Sequence, residues 1–209
     1  MILDVVVPAY NEENTIADTI RILKQVSAIQ NIIVVNDCST DKTSIIAHSI
    51  GVAVVDLPCN LGKGGAMKMG AIYSQADYIL FIDADLIGLQ PYHIKELIDP
   101  ILNRKYESSI GLFANGGFFT DLAQKIAPFL SGQRVIKRDI IIGMGSIEKS
   151  RYGVEVTVTK YIKKNKITCK KVYLPNLTHV VKEEKLGIIK GFMARLKMYW
   201  EIAKVLFGT

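Results

Sequence analysis

The sequence has few of the features that mark disulfide-bonded, secreted or membrane-spanning proteins. Its three cysteines, Cys38, Cys59 and Cys169, lie far apart. They fit neither a disulfide framework nor a zinc site, so we expect reduced thiols. No apolar run reaches the roughly 18 residues of a membrane-spanning helix, and Met1 leads directly into a strand pattern without the architecture of a signal peptide. The sequence therefore predicts a cytoplasmic protein.

What the chain does contain is enough apolar material for one core. It has 209 residues, of which 49% are hydrophobic and 22% are charged. This is the composition of a folded protein, since a disordered chain would be more polar. The length suits one domain better than two, so we predict a single domain over residues 1–209.

Charge is distributed unevenly along the chain. Residues 1–118 contain 8 basic and 13 acidic side chains, whereas residues 119–209 contain 18 basic and 7 acidic ones. An acidic half suits a cation-dependent site, and a basic half suits an anionic partner or a membrane surface. We therefore expect the two halves to do different work.

Short apolar runs alternate with helix-period segments through the first half. The runs are LDVVVP, NIIVVND, VAVVDL and DYILFID, and the predicted helices after them begin at about Glu12, Asp41, Lys63 and Pro91. Such alternation is typical of βαβ units and of a mostly parallel sheet with helices on both faces. The predicted fold class is α/β, with a central sheet flanked by helices. Ser39 or Thr40 is the predicted cap of the second helix.

The fourth apolar run ends in two carboxylates, Asp83 and Asp85, with one alanine between them. Residues i and i+2 of a strand project to one side, so both can point past the carboxyl edge of the sheet. Open parallel sheets bind ligands at that edge. Two unpaired like charges there would repel, and a divalent cation would remove the repulsion. The alternative is a solvated turn, with one acid capping the helix after Pro91.

Polar residues follow the other three strands as well. Tyr10 and Glu12 follow the first strand, and Asp37 follows the second, where it could accept hydrogen bonds from a base or a ribose. Gly62 and Lys63 follow the third, where glycine allows close backbone approach and the lysine can reach a phosphate near a helix N-terminus. Each residue also has an ordinary role open to it, as an N-cap, a partner of the helix dipole or a turn residue.

The segments PAYNEE, NDCSTDKT, NLGKGGAMKMG and FIDADL occur in a characteristic order and spacing. As a set they closely resemble the family 2 glycosyltransferases of the A-type nucleotide-sugar-binding fold, whose first half is Rossmann-like. Within that family the sequence is most similar to bacterial relatives of dolichyl-phosphate mannose synthase and glucosyl-3-phosphoglycerate synthase. The resemblance implies a UDP- or GDP-sugar donor, Mg²⁺ or Mn²⁺, and inversion at the anomeric carbon by direct displacement.

By position, the resemblance also implies roles for individual residues. Asp83 would contact the ribose or the metal, and Asp85 would hold the metal on the diphosphate, where it neutralises charge on the leaving group. Glu155, on a later helix, would be the general base; an exposed helix glutamate is the alternative. The remaining nucleotide-sugar contacts would be Pro8, Ala9, Tyr10, Glu12, Asp37, Gly62 and Lys63.

Two residues of the second half are further candidates. His179, in NLTHVV, corresponds to a late histidine that supplies a metal ligand in the phosphoglycerate-type relatives; satisfying a local hydrogen bond is the alternative. Arg134 lies in a basic cluster and suits bidentate binding of a donor diphosphate or an acceptor phosphate, with a solvated helix face as the alternative. The other histidines are predicted to be structural: His48, buried in a helix, and His93.

Residues 185–209 carry a strongly amphipathic helical pattern, with Phe192 and Trp200 on the apolar side and lysines opposite. Such a face suits packing on the protein's own core or on a second subunit in a homodimer. It also suits a membrane interface, where the enzyme could meet a polyprenyl phosphate. Peripheral contact with the cytoplasmic face of a membrane therefore stays open.

These observations predict a metal-dependent inverting glycosyltransferase. Residues 1–118 would bind nucleotide sugar and metal, and residues 119–184 would bind an anionic acceptor, either a polyprenyl phosphate or a small phosphorylated or glycerate-type molecule. A sugar-phosphate nucleotidyltransferase should carry a glycine-rich basic loop after the first strand, where this chain has PAYNEENT. A non-catalytic nucleotide or phosphate binder would leave the paired acids without a purpose. No nucleic-acid motif is present, so we expect no nucleic-acid partner.

Overall fold

The computed structural model describes residues 2–114, 131–145, 147 and 153–179, and of the last residue the backbone alone. The strands in these ranges are β1 (Leu3–Ala9), β2 (Asn31–Asn36), β3 (Ala53–Asp56), β4 (Tyr78–Phe81), β5 (Leu86–Ile87), β6 (Ser108–Ala114), β7 (Arg134–Lys137), β8 (Cys169–Pro175) and β9 (Thr178–His179). The helices are α1 (Ile16–Leu23), α2 (Thr43–Ser49), α3 (Gly62–Tyr73), α4 (Pro91–Leu102), α5 (Arg138–Gly143) and α6 (Val154–Lys164). None of these helices combines the length and the apolar character needed to cross a membrane.

Seven of the strands form one sheet in the order β3-β2-β1-β4-β7-β6-β8. Strands β1 to β4 run parallel to one another, as do β6 and β8, whereas β7 is antiparallel to both of its neighbours. The predicted α/β class with a mostly parallel sheet is therefore confirmed. All four strand ends that carry the candidate residues point to the same edge of this sheet.

The central strands are apolar throughout because helices cover both faces of the sheet. Val5 and Val7 of β1 pack with α1 and α4, while Val6, between them, packs with α3 and α6 on the other face. This alternation is the period of two that a strand imposes on its side chains. Burying each aliphatic side chain contributes about 1.5–3 kcal/mol, so the sheet is a rigid platform for the loops at its edge.

The structure corrects the predicted cap of α2. Ser39 and Thr40 do not cap α2, which begins at Thr43. Both instead bind Asn11 in the preceding loop. The Asn11 N–H donates to Ser39 Oγ at 3.0 Å, and Asn11 Oδ1 accepts the Thr40 N–H at 2.8 Å. Asp41 takes the capping role, since its carboxylate accepts the Thr43 N–H at 2.9 Å. The predicted start of α4 at Pro91 is confirmed.

Two other local predictions are wrong. The first helix begins at Ile16 rather than near Glu12, because residues 13–15 form a turn before it. His48 is exposed rather than buried, and its Nε2 lies 3.2 Å from Asp56 Oδ2. The prediction that His93 is structural is confirmed: it is fully buried, its Nδ1 accepts the Gln90 N–H at 3.1 Å, and its Nε2 lies 2.9 Å from the carbonyl oxygen of Pro175.

Candidate functional site

The two paired acids lie just beyond β4, at the carboxyl edge of the sheet. Strand β4 ends at Phe81, and Ala84 and Asp85 lie in a turn. The prediction that alternation along a strand aligns Asp83 with Asp85 is therefore wrong. The acids reach the edge because the chain leaves the sheet there, and the turn is held by Thr19 Oγ1 of α1, which donates to Ala84 O at 3.3 Å.

One ammonium group joins this acid pair to a distant helix. Lys63 Nζ lies 2.6 Å from Asp83 Oδ1 and 2.7 Å from Glu155 Oε1. Lys63 and Glu155 each occupy the second position of a helix, α3 and α6, so both helices begin at the same corner of the protein. The side chains of Lys63, Asp83 and Glu155 are only 29%, 13% and 15% exposed. The sequence predicted all three residues for the site, and the structure brings them into direct contact.

Burial and charge act in opposite directions on this cluster, and charge dominates. Burial would lower the pKa of Lys63, but the carboxylates of Asp83 and Glu155 raise it above its ordinary value. Burial would likewise raise the pKa of Glu155, but the Lys63 ammonium holds it below its ordinary value of 4.5. Lys63 and Glu155 are therefore both ionised at neutral pH.

The segment before β7 supplies further contacts to Asp83. Gln133 Nε2 donates to Asp83 Oδ2 at 2.9 Å, and Gln133 Oε1 accepts from Ser131 Oγ at 2.9 Å, which orients the amide. A methyl group on Gly132 would lie 2.5 Å from Lys63 Nζ and 2.6 Å from Asp83 Oδ2, so the backbone passes directly against the ion pair. The sequence predicted no site role for these three residues. The sequence signal that could have identified them is the SGQR segment at residues 131–134, which contains all three.

Arg134 lies on β7 beneath the cluster and is 1% exposed. Its Nη2 donates to Ser131 O at 3.0 Å and to Thr159 Oγ1 at 3.4 Å, and none of the described residues accepts a hydrogen bond from Nη1. The alternative of a solvated helix face is wrong, because the residue is buried and belongs to a strand. Burial lowers the pKa of the guanidinium, although the nearby Glu155 opposes this. Direct contact with a phosphate stays a prediction.

Asp37 secures the loop that carries Lys63. Its carboxylate accepts the N–H of Leu61 at 2.7 Å and of Gly62 at 2.9 Å, and the residue is 4% exposed. A carboxylate in this position satisfies free N–H groups of the helix start and suits the helix dipole. Gly62 has a φ of 76°, which glycine adopts without strain. These two residues orient the start of α3, and contact of Asp37 with a base stays a prediction.

The loops after β1 and β2 are hydrogen-bonded to each other. The Asp37 N–H donates to Ala9 O at 2.8 Å, and the Glu12 N–H donates to Thr43 Oγ1 at 2.7 Å. Tyr10, in the loop after β1, is 48% exposed, so its ring is accessible at this edge of the sheet. The structure thus lines up along one edge the predicted nucleoside contacts Pro8, Ala9, Tyr10, Glu12 and Asp37.

Two of the candidate metal ligands, Asp83 and Asp85, follow β4, which lies beside β1 in the sheet. Strand β5 pairs with β9, which sets the backbone of His179 opposite Leu86, directly after Asp85. The side chain of His179 lies outside the described residues. Among the described side chains, no group of three or more histidine, cysteine, aspartate or glutamate residues could hold a metal ion. Metal binding by Asp83, Asp85 and His179 stays a prediction.

Comparison with known proteins identifies sequence relatives. Residues 4–146 match the model of the family described as glycosyl transferase family 2. An uncharacterised protein of Methanocaldococcus jannaschii is 40% identical over 111 residues, which are 51% of this chain and 44% of the relative. The glucosyl-3-phosphoglycerate synthase of Mycolicibacterium smegmatis is 32% identical over 109 residues, which are 48% of this chain and 36% of the relative. The chain therefore matches less than half the length of these curated relatives.

Solved structures share the fold over nearly the whole chain. One is the glucosyl-3-phosphoglycerate synthase of Mycobacterium tuberculosis, crystallised with Mn²⁺, UDP and phosphoglyceric acid. It matches with a TM-score of 0.73 and 23% identity, and the match covers 98% of this chain and 79% of that one. At this level of identity the similarity shows the fold, and it confirms the predicted A-type architecture.

Proposed function

Because the chain belongs to glycosyl transferase family 2, we propose that it transfers a hexose from a nucleotide sugar to an anionic acceptor, with Mg²⁺ or Mn²⁺ and with inversion at the anomeric carbon. The observation that carries the proposal is the convergence of Asp83, Lys63 and Glu155 at the carboxyl edge of the sheet, with both lysine contacts within 2.7 Å. The relative from M. tuberculosis binds UDP-glucose with Mn²⁺, and UDP with Mg²⁺. These ligands favour UDP over GDP as the nucleotide here.

The paired acids fit a cation that is shared with the substrate. Mg²⁺ in such sites is held by one or two carboxylates together with phosphate oxygens of the substrate. Asp85 would be the principal ligand, with His179 approaching from β9, because both oxygens of Asp83 already accept hydrogen bonds. When bound, the metal neutralises charge on the departing diphosphate.

The rest of the edge would bind and orient the donor. The nucleoside would lie along the loops after β1 and β2, beside Tyr10 and Asp37. Lys63 would meet the diphosphate, since a helix start with a lysine beside it favours anions. Gly62, whose N–H already donates to Asp37, would allow the donor to approach the backbone closely. Glu155 would accept the proton of an acceptor hydroxyl, and it is ionised at neutral pH, as a general base must be.

The acceptor is proposed to be anionic, and the relative from M. tuberculosis favours the smaller of the two predicted classes. That protein was crystallised with phosphoglyceric acid. A polyprenyl phosphate would instead require the amphipathic residues 185–209, which lie outside the described residues. Liposome flotation of the intact chain against a chain truncated before Lys185 separates the classes, and equal recovery of the two would remove the membrane proposal.

The donor proposal is tested by hydrolysis of UDP- and GDP-sugars with and without Mn²⁺. We expect turnover of a UDP-sugar that needs the metal and falls at least about 100-fold in D85A, the scale on which removal of a charge-stabilising group acts. D99A, which changes an exposed aspartate of α4, is the matched control. Unchanged turnover in a folded D85A protein would contradict the metal role of Asp85.

A further inference from the structure

The guanidinium of Arg134 is buried with an unused hydrogen-bond donor beside the charged cluster. The side chain is 1% exposed, and none of the described residues accepts a hydrogen bond from its Nη1. Arginine does not lose its charge in proteins, and an unpaired donor on a buried charge is costly. A buried polar group without a partner therefore needs an explanation.

Glu155 is the anion that this donor can serve. Thr159, which accepts from Arg134 Nη2 at 3.4 Å, lies four residues after Glu155 on α6. Residues at this spacing share one face of a helix and are one turn apart. The guanidinium therefore lies one turn from the Glu155 carboxylate. Asp83 is a second carboxylate whose charge acts on it.

In the structure Lys63 neutralises Glu155, but other anions compete for the same ammonium. Its single ammonium serves the carboxylates of both Asp83 and Glu155. This inference rests on the proposed function, under which the diphosphate of the donor would be a third anion beside the same ammonium. Lysine reaches its partners on a flexible four-carbon stem and can turn from one to another, whereas the guanidinium is held in the core.

We propose that Arg134 is a positioning residue. When Lys63 turns to the diphosphate of the donor, the guanidinium of Arg134 replaces the lysine ammonium as the hydrogen-bonding partner of the Glu155 carboxylate. In that state Nη1, which has no partner among the described residues, donates a hydrogen bond to Glu155. The exchange keeps Glu155 charged and in place for the acceptor, and it lowers the cost of releasing Lys63. Arg134 then strengthens nucleotide binding without touching the nucleotide.

The test is a double-mutant cycle on binding, with UDP and Mn²⁺ as the probe in isothermal titration calorimetry. We expect R134M to raise the Kd for UDP at least about tenfold, within the range of coupling between neighbouring charged residues. E155Q should bind as tightly as the wild type or more tightly, because Lys63 is freed. R134M should then have no further effect in the E155Q background. K137M, at an exposed lysine of the same strand, should match the wild type.

R134K keeps the charge with fewer donors and a different reach, so it tests the same point if R134M fails to fold. We expect a loss of about threefold in the wild-type background and none beside E155Q. Wild-type affinity in the Arg134 variants, or an equal loss in both backgrounds, would overturn the inference; the second result indicates direct contact or damage to β7. If the wild type binds neither UDP nor GDP with Mn²⁺, the proposed function fails and the inference with it. A failure confined to the Arg134 variants leaves the proposed function standing.

Discussion

Replacing Lys63 by methionine removes an ammonium that lies between two largely buried carboxylates, those of Asp83 and Glu155. At an effective dielectric constant of about 20, each contact of roughly 2.7 Å represents about 6 kcal/mol of attraction, most of which is offset by the desolvation of the charges. Removing one partner of a buried pair costs about 3–5 kcal/mol. Because the Lys63 side chain is 29% exposed, we expect K63M to lower the free energy of unfolding by about 3 kcal/mol at pH 7, the lower end of that range.

The loss should depend on pH, with a sign that follows from the carboxylates. In the wild type the pKa of folded Glu155 lies below its ordinary 4.5. Its stabilisation is therefore complete above pH 4.5 and is lost as the pH falls through the lower folded-state value. In K63M Glu155 loses the ammonium that holds its pKa down, so it should take up a proton at a higher pH than in the wild type. The difference between the two proteins should shrink as the pH falls.

Urea unfolding of both proteins at several pH values between 7 and 4 measures this difference. K95M, at an exposed lysine of α4, is the control and should stay within about 0.5 kcal/mol of the wild type. If K63M loses less than about 1 kcal/mol at pH 7, these ion pairs contribute no more to the free energy of unfolding than weak surface pairs do. A loss that is the same at pH 7 and pH 4 would refute the electrostatic reasoning.

Three further changes test the surroundings of the site. G132A should cost about 1–3 kcal/mol and weaken UDP binding, because its methyl group would lie 2.5 Å from Lys63 Nζ; G143A, with open space around the added carbon, should be close to neutral in urea unfolding. D37N should cost about 1–2 kcal/mol and speed amide exchange at the start of α3, because an amide can satisfy only one of the two N–H groups. Burial lowers the pKa of His93 below 6.5, so the wild type should lose stability as the pH falls from 7.5 to 5.5, and H93N should lose less; equal slopes in urea unfolding would contradict this.

The parallel part of the fold was predictable because its strands carry their own signal. LDVVVP and NIIVVND are buried on both faces, and such strands are continuous apolar runs. Strand β7 carries no such signal: its four residues, RVIK, include two cations, and its antiparallel course depends on β4 and β6 on either side. Local pattern likewise misplaced His48: it is exposed, as is Ile45 three residues before it on the same helix, at 68%.

The candidate site was predictable as a set of residues and not as a set of contacts. Asp83, Lys63 and Glu155 were all identified by their motifs. Lys63 and Glu155 are 92 residues apart, so their ion pair depends on where α6 docks on the sheet, which no local pattern encodes. The same holds for Gln133, whose bond to Asp83 spans 50 residues. Burial of Arg134 beneath them follows from the course of β7.

A crystal structure of the protein grown with UDP and Mn²⁺ tests the central claim most directly. The account predicts the metal bound to Asp85 and to the diphosphate, with the uridine along the loops that carry Tyr10 and Asp37. It also predicts Lys63 turned toward phosphate oxygens. Nucleotide and metal bound at another place on the protein, with the corner between Asp85 and Lys63 unchanged, would contradict it.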